Sequence, residues 1–254
     1  MHRDTMSRTG GGPMHAKPLL LLAGVGLLST WTTAPRVGAE EPTRAQTAPP
    51  EVPQRVTLKG PYIRAAYNRE GYVILGFRFA NASIDEAWMI LDVGLALLDG
   101  VPDYSLNREG LSLTTPDGQT IPLASISEYR KANLRAMENR ALIYAQADSI
   151  DYFPRNAFRA CQVRFFSRED DPGFARAGFA RDRLDLSDQL GCQGRLYFEV
   201  PGGIAYGNYW LNVKFEKSTV RVPFRILTKE EDELLNKNFG EIKKQVDGAF
   251  KKKK

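Results

Sequence analysis

Side chains that could carry out acid–base or metal chemistry are few in this chain. Its two histidines, His2 and His15, lie close to the N-terminus. The carboxylates between 169 and 188 are clustered but lack the alternate spacing of a calcium-binding loop. There is no Gly-x-Ser-x-Gly, Ser-x-x-Lys or glycine-rich phosphate loop in the sequence, so it gives no support for a serine hydrolase or a nucleotide-binding protein. Paired carboxylates can hydrolyse glycosides without histidine, so a carboxylate-dependent hydrolase stays as an alternative, and we predict no cofactor.

A boundary near Ala39 indicates that residues 1–39 are a signal peptide. The apolar run 19–28 is followed by Val37-Gly38-Ala39 and then by acidic residues from Glu40, which is the pattern of a secretory cleavage site. The run is too short for a permanent membrane span, which needs about 20 apolar residues. We therefore predict an exported protein, periplasmic or extracellular, with no stable transmembrane segment after cleavage. Both histidines would be removed, and with them the commonest general base.

The only two cysteines, Cys161 and Cys192, are predicted to form a disulfide. An even number of cysteines in an exported chain favours a bridge, and closing a loop of this length stabilises a fold by about 3.5 kcal/mol. Two free buried thiols are the alternative. A metal site is not expected, because two thiolates without histidine fall short of the usual four zinc ligands.

The formal net charge of +5 is unevenly distributed. Residues 1–39 carry four basic side chains and one acidic one, and four of the remaining positive charges are the terminal lysines Lys251, Lys252, Lys253 and Lys254. The body between them is slightly acidic, which argues against a nucleic-acid-binding protein. We predict a solvated lysine tail, with a weak contact to anionic lipid or another polyanion as the alternative.

Four segments follow from composition and periodicity. After the signal peptide, residues 40–54 are predicted to be a disordered linker rich in proline. Residues 55–227 alternate short β-type runs with turn signals, long enough for one domain with its own core. Residues 228–254 are predicted to form an amphipathic helix and the lysine tail.

Apolar spacing locates the main elements of the predicted domain. Alternate apolar residues predict a strand over 72–81, and a run that is apolar on both faces predicts a central strand over 87–98. The Pro-Asp-Gly turn in 111–123 predicts a hairpin. Residues 125–148 are rich in strong helix formers and contain neither glycine nor proline, so they predict a single helix.

A second hairpin is predicted over 208–227, with a turn at 216–219. In that register Phe215 lies opposite Val220, and each further inward pair is apolar. Pro223 cannot donate a hydrogen bond, which predicts that its strand lies at a sheet edge. The outward face then sets Trp210 opposite Arg225 and Lys214 opposite Arg221, the first as a cation–π pair and the second as a pair of like charges.

These features predict a mainly β fold: an antiparallel β-sandwich with an inserted helix and a C-terminal helix. The strand over 72–81, followed by a second long strand, resembles the immunoglobulin-like domains of exported bacterial proteins. The resemblance is one of fold, covers about two thirds of the chain and implies little about function. No immunoglobulin-type disulfide or site is carried over, because the usual core tryptophan between the two cysteines is missing.

The C-terminal helix is predicted from a capping box, with Thr228 as N-cap and Glu231 three residues later. An apolar stripe follows at helical spacing: Leu235, Phe239, Ile242, Val246 and Phe250. Gly240 and Gly248 each weaken the helix by about 1 kcal/mol relative to alanine, which disfavours a coiled coil. We expect the helix to dock on its own domain, with partner binding as the alternative.

Candidate binding residues are aromatic or cationic. Trp210, Arg221 and Arg225 lie on the outward face of the second hairpin, where a carboxylate from the C-terminal helix or a bound partner would balance their charge. Four more come from a short repeat inside the predicted disulfide loop, and such side chains on a loop suit partner recognition; they are Phe174, Arg176, Phe179 and Arg181.

The sequence thus predicts an exported, non-catalytic binding or assembly module of the bacterial cell envelope, with an envelope protein as its partner. A histidine-free hydrolase and a carbohydrate-binding module are the alternatives.

Overall fold

The fold is described from a computed structural model, which defines residues 54–163, 165 and 183–251. The predicted signal peptide and almost all of the predicted linker lie outside these residues. So do seven residues of predicted contacts: Phe174, Arg176, Phe179, Arg181, Lys252, Lys253 and Lys254. The strands of the described chain are β1 Arg55–Gly60, β2 Ile63–Tyr67, β3 Gly71–Gly76, β4 Trp88–Leu97, β5 Tyr104–Asn107, β6 Leu111–Thr114, β7 Thr120–Pro122, β8 Phe158–Val163, β9 Arg183–Leu186, β10 Leu190–Glu199, β11 Gly207–Lys214 and β12 Thr219–Ile226. The helices are α1 Arg78–Asn81, α2 Ile126–Ala132, α3 Arg135–Ala147 and α4 Lys229–Lys251.

The described strands form three sheets, so the predicted mainly β fold is confirmed. One sheet has the order β1-β2-β3-β4-β10-β8, a second has the order β12-β11-β6-β7, and β5 pairs with β9. Every pair is antiparallel except β8 with β10. The two larger sheets share one hydrophobic cluster, in which Phe77 after β3 contacts Phe224 of β12 at 5.2 Å between ring centroids.

The prediction of a central strand over 87–98 is confirmed by β4, which lies between β3 and β10. Its inner face enters the main cluster, and its outer face is covered by the segment after α3, where Phe153 packs over Gly94. Its one charge, Asp92, pairs with Arg195 of the neighbouring strand at 3.1 Å. Cover on both faces explains why this run is apolar at nearly every position.

The prediction of one strand over 72–81 is wrong in its second half. After β3 the chain turns into α1, where the amide of Asn81 donates to the carbonyl of Phe77 at 3.0 Å. The turn aims Arg78 at Asp148, and it brings the Asn81 side chain to the amide of Leu227 at 2.6 Å. Phe79 is still buried, so alternation of apolar residues alone could not separate the two conformations.

The single helix predicted over 125–148 is divided into α2 and α3. Asn133 lies between them with φ +48°, a left-handed conformation that asparagine tolerates and that ends α2. Ser125 and Glu128 form a capping box at the start of α2. The division lets α3 direct Glu138 into the protein, where the residue is only 8% exposed.

Both predicted hairpins are present. β6 and β7 pair around a turn in which Gly118 has φ +85°, as the Pro-Asp-Gly sequence predicts. In the β11–β12 hairpin the inward residues are those predicted, but the register differs by two residues: Val213 lies opposite Val220 instead of opposite Val222. The turn residues explain the difference, because the carboxylate of Glu70 accepts hydrogen bonds from the Lys217 amide and the Ser218 hydroxyl.

The capping box of α4 is confirmed by reciprocal hydrogen bonds between Thr228 and Glu231. The helix packs along β1, the edge strand of the six-stranded sheet. The predicted disulfide is confirmed between Cys161 of β8 and Cys192 of β10, which are register partners. In the described part of the chain, no helix is long and apolar enough to cross a membrane.

Candidate binding surface

The outer face of the four-stranded sheet carries the most distinctive group of exposed side chains. Buried and more exposed residues alternate along β6, β11 and β12, and the side chains of the more exposed residues point away from the core. We call this surface the tryptophan face, and its residues are Ser112, Thr114, Asn208, Trp210, Asn212, Lys214, Thr219, Arg221, Pro223 and Arg225.

Trp210 lies at the centre of the tryptophan face and is partly exposed. Its register neighbours are Pro223 on one side and Thr114 on the other, so the predicted pairing with Arg225 is wrong. Arg221 reaches Trp210 diagonally, with its guanidinium 5.8 Å from the ring centroid. This distance is within the range of a cation–π contact, although the cation differs from the predicted one. The two-residue difference in register accounts for the exchange.

Asn212 organises the polar groups around Trp210. Its amide nitrogen lies 2.9 Å from the Thr114 hydroxyl and 3.3 Å from that of Ser112, and its carbonyl oxygen accepts from Arg221 Nε at 3.2 Å. Arg221 lies opposite Asn212, which corrects the predicted pair of Lys214 with Arg221. The guanidinium is therefore held in one orientation beside the indole.

The charge of the tryptophan face is only partly balanced. Arg225 forms an ion pair with Glu231 of α4, with Nη2 2.7 Å from Oε1, so a helix carboxylate does balance this residue. Hydrogen bonding to Glu231 raises the pKa of Arg225, and the same bond lowers the pKa of Glu231. Within the described residues Lys214 and Arg221 make no ion pair. Two positive charges thus remain in excess on this surface.

One border of the tryptophan face is the edge strand β12. The outward amide and carbonyl of Arg221 bind the side chain of Gln54, at 2.9 and 2.8 Å, as a neighbouring strand would. Pro223 lies two residues after Arg221, so its backbone faces the same open edge of the sheet. The amide donor that proline lacks would point to that edge, which confirms the edge position predicted for Pro223. Gln54, the residue before β1, therefore lies at the border of the tryptophan face.

A second polar cluster ties α4 to the six-stranded sheet. The guanidinium of Arg78 donates to Asp148 at 2.5 and 2.9 Å and lies 4.2 Å from the ring centroid of Tyr62. The Tyr62 hydroxyl donates to Asp232 and accepts from Asn236 at 3.3 Å. Hydrogen bonding to Asp148 raises the pKa of Arg78, which keeps the guanidinium charged. This cluster joins four segments and has the character of a structural anchor.

The buried carboxylates in the described core have hydrogen-bond donors as partners. Glu138 accepts from the hydroxyls of Tyr129 at 2.7 Å and Tyr197 at 2.9 Å, and burial raises the pKa of Tyr197. Burial also raises the pKa of Asp92, while its partner Arg195 opposes that shift. Among the described residues, no group of three or more histidine, cysteine or acidic side chains could hold a metal. These pairs connect strands and helices inside the fold.

The structure brings three of the predicted binding residues, Trp210, Arg221 and Arg225, onto one surface. Asn212 was not predicted, although it alternates with the inward residues of β11 and so shares the face of Trp210. The β6 contribution, Ser112 and Thr114, was not predicted either, because nothing local indicates that β6 pairs with a strand about 100 residues later.

Comparison of the chain with protein-family models, with curated proteins and with solved structures finds no match.

Proposed function

We propose that this protein is an exported, non-catalytic binding or assembly module of the bacterial cell envelope, and that the tryptophan face is its contact surface. The observation that carries the proposal is the combination of a partly exposed Trp210 with a surplus of two cations on a rigid sheet. Tryptophan and arginine are enriched among the residues that dominate protein interfaces. A sheet also fixes these side chains, which lowers the entropy cost of binding.

Export is supported by two independent features. The N-terminal sequence has the pattern of a secretory signal, and the Cys161–Cys192 disulfide is compatible with an oxidising compartment. Fractionation of cells that express the full-length chain, with mass spectrometry of the N-terminus, tests this part. We expect the protein in the periplasm or medium, beginning near Glu40; an unprocessed cytoplasmic protein would contradict export.

The partner that we propose is an envelope protein with a carboxylate-rich patch around an apolar centre. The unbalanced charges of Lys214 and Arg221 favour acidic groups, and the indole of Trp210 offers apolar area between them. Arg221 is oriented by Asn212 and has no carboxylate partner among the described residues, so a partner carboxylate could bind it without displacing one. We therefore expect Arg221 to contribute more than Arg225, which Glu231 already neutralises.

Site-specific crosslinking followed by direct binding tests the surface. A photoreactive residue in place of Thr219 would identify the partner in intact cells, and the purified partner would then be titrated against variants. We expect Trp210→Ala and Arg221→Ala each to weaken binding by at least tenfold, on the order of 1.4 kcal/mol. Arg69→Ala, which removes another exposed arginine, is the matched control and should change affinity less than twofold.

Two results would contradict this proposal. If Trp210→Ala and Arg221→Ala bind the identified partner as tightly as the unchanged protein, the tryptophan face is not the contact surface. If the protein turns over polysaccharide or peptidoglycan, and a single aspartate or glutamate substitution removes that activity, the hydrolase alternative is correct.

Carbohydrate binding is a second candidate for the same surface. The observation in its favour is that amide and hydroxyl groups, those of Asn212, Thr114 and Ser112, lie beside the Trp210 ring. Sugar rings stack on an indole while such groups bind the hydroxyls. Isothermal titration calorimetry with envelope polysaccharides distinguishes the candidates, because saturable binding that Trp210→Phe retains and Trp210→Ala loses would favour the sugar.

A further inference from the structure

The positive charge of this protein is concentrated at its C-terminal end. Residues 237–254 contain seven lysines and two acidic residues, whereas residues 1–236 contain 28 basic and 28 acidic residues. The whole surplus of +5 therefore lies in the last 18 residues. We call residues 237–254 the basic tail.

The first turns of α4 are firmly attached to the domain. Glu231 pairs with Arg225, while Asp232 and Asn236 both bind the Tyr62 hydroxyl. Beyond Asn236, the hydrogen bonds and ion pairs of the described α4 side chains stay within the helix, as in the Lys244–Glu241 pair at 3.0 Å. The described lysines Lys237, Lys243 and Lys244 therefore lie beyond the part of α4 that polar side chains attach to the domain.

The apolar stripe of α4 is not part of the core. The described stripe residues, Leu235, Phe239, Ile242 and Val246, are each partly exposed, and none belongs to either hydrophobic cluster of the described chain. Lys243 lies one helical turn from Phe239 and next to Ile242, so cationic and apolar groups occur side by side. This combination is typical of helices that lie at a lipid surface.

We propose that the basic tail binds an anionic phospholipid surface and holds the protein at a membrane of the envelope. The lysines supply attraction to headgroup phosphates, and the partly exposed stripe supplies apolar area that a water-soluble polyanion would not use. The proposal rests on the proposed export to the envelope but is independent of the tryptophan face. Beyond Asn236, the described polar side chains of α4 make no bond to the rest of the domain, so a lipid surface would not have to break such a bond to reach them.

Vesicle sedimentation tests the proposal with protein expressed from the full-length sequence and purified as the cell produces it. The vesicles are phosphatidylcholine alone or phosphatidylcholine with phosphatidylglycerol. We expect binding only to the anionic vesicles, and we expect it to weaken as salt is raised to about 0.5 M, where charge screening is strong. Equal binding to both vesicle types would overturn the proposal.

Two double variants with the same change in charge locate the contact. Lys237→Ala with Lys243→Ala removes two charges from the basic tail, and Arg69→Ala with Lys131→Ala removes two exposed charges that belong neither to the tail nor to the tryptophan face. Because one lysine near an anionic surface contributes about fivefold in affinity, the first variant should lose about 25-fold and the second less than twofold. Equal losses in both variants would overturn the assignment. Matching thermal unfolding curves would show that both are folded.

A change in the apolar stripe distinguishes a lipid surface from a soluble polyanion as the ligand of the basic tail. Ile242→Ser should weaken vesicle binding several-fold, and soluble polyphosphate should bind the variant and the unchanged protein equally. If polyphosphate competes fully and Ile242→Ser leaves vesicle binding unchanged, the tail binds polyanions in general and the lipid proposal is wrong. A Trp210→Ala variant that keeps full vesicle binding would show that this contact is separate from the proposed partner site.

Discussion

Gly71 is the position at which a single methyl group should most disturb the packing of the two large sheets. It begins β3, and the ring of Phe215, the first residue of the β11–β12 turn, lies directly over it. A Cβ atom at Gly71 would overlap Cε2 and Cζ of that ring and would lie 2.6 Å from Cδ2. Phe215 is 1% exposed, so the ring has no open space into which it can move. We therefore expect Gly71→Ala to destabilise the fold.

The size of this effect follows from the geometry. To reach ordinary van der Waals distance the ring must move by about 1 Å or more. Overpacking of a core costs about 1–3 kcal/mol, and expelling the ring altogether would cost about 3–5 kcal/mol, as truncating a buried phenylalanine does. The lower entropy of the unfolded chain with alanine offsets about 0.5 kcal/mol. We expect a net loss of about 2–3 kcal/mol in the free energy of unfolding.

Equilibrium unfolding in urea measures the loss as a lower midpoint at unchanged slope. Gly240→Ala is the matched control, because a Cβ at this helical position meets no atom within 4 Å; it should stabilise by about 0.5–1 kcal/mol. Phe215→Leu removes the overlapping ring atoms, so combined with Gly71→Ala it should cost at least about 1 kcal/mol less than the two single losses together. If Gly71→Ala unfolds like the unchanged protein, or the two losses simply add, the contact between Gly71 and Phe215 does not hold the sheets together.

Three further outcomes are expected. Replacing Cys161 and Cys192 by serine should lower the free energy of unfolding by about 3.5 kcal/mol, as a reducing agent should; alkylation of the unreduced protein should label neither cysteine. Burial raises the pKa of Tyr72 to about 12, so the unfolded phenol ionises first and stability should fall between about pH 10 and 12; Tyr72→Phe should remove at most about 2.5 kcal/mol of that fall. Gln54→Ala should speed hydrogen exchange at the Arg221 amide, with little change in a distant strand such as β4; unchanged exchange would mean that Gln54 does not protect this edge.

Elements with strong local signals could be predicted from the sequence. The continuous apolar run of β4, the Pro-Asp-Gly hairpin and the capping box at Thr228 each depend on residues within a few positions of one another. The disulfide followed from the cysteine count alone, because only one intramolecular pairing exists. In these cases local chemistry and the tertiary structure favour the same conformation.

The register of the β11–β12 hairpin could not be predicted, because groups distant in sequence decide it. A shift by two residues leaves the same side chains facing inward, so the hydrophobic pattern is satisfied equally in both registers. The contacts of Glu70 with Lys217 and Ser218, and that of Asn68 with Ser218 at 2.8 Å, distinguish them. These contacts form only when the β2–β3 turn meets the hairpin, which no local pattern reveals.

The residues of the tryptophan face could be predicted only in part, because their arrangement also depends on the hairpin register. Parity along the hairpin places Trp210, Arg221 and Arg225 on one face in either register, so their common orientation follows from the sequence. Which cation lies nearest the indole depends on the register, and the hydroxyls of β6 depend on sheet order. The chemistry of the surface was therefore visible in the sequence, and its geometry was not.

The two proposed contacts, of the basic tail with lipid and of the tryptophan face with a partner, should strengthen each other. A basic tail of net charge +5 supplies a salt-sensitive attraction to lipid, and a single sheet face of this size supplies modest affinity for a partner. If the partner itself lies in the membrane, attachment through the tail holds the tryptophan face close to that partner. For a short connection, the effective concentration of the partner at this face is then in the millimolar range. The anchored start of α4 keeps that connection short, because Glu231 joins the helix to Arg225 on the tryptophan face itself. Loss of the tail should then weaken partner binding on vesicles and leave it unchanged in solution.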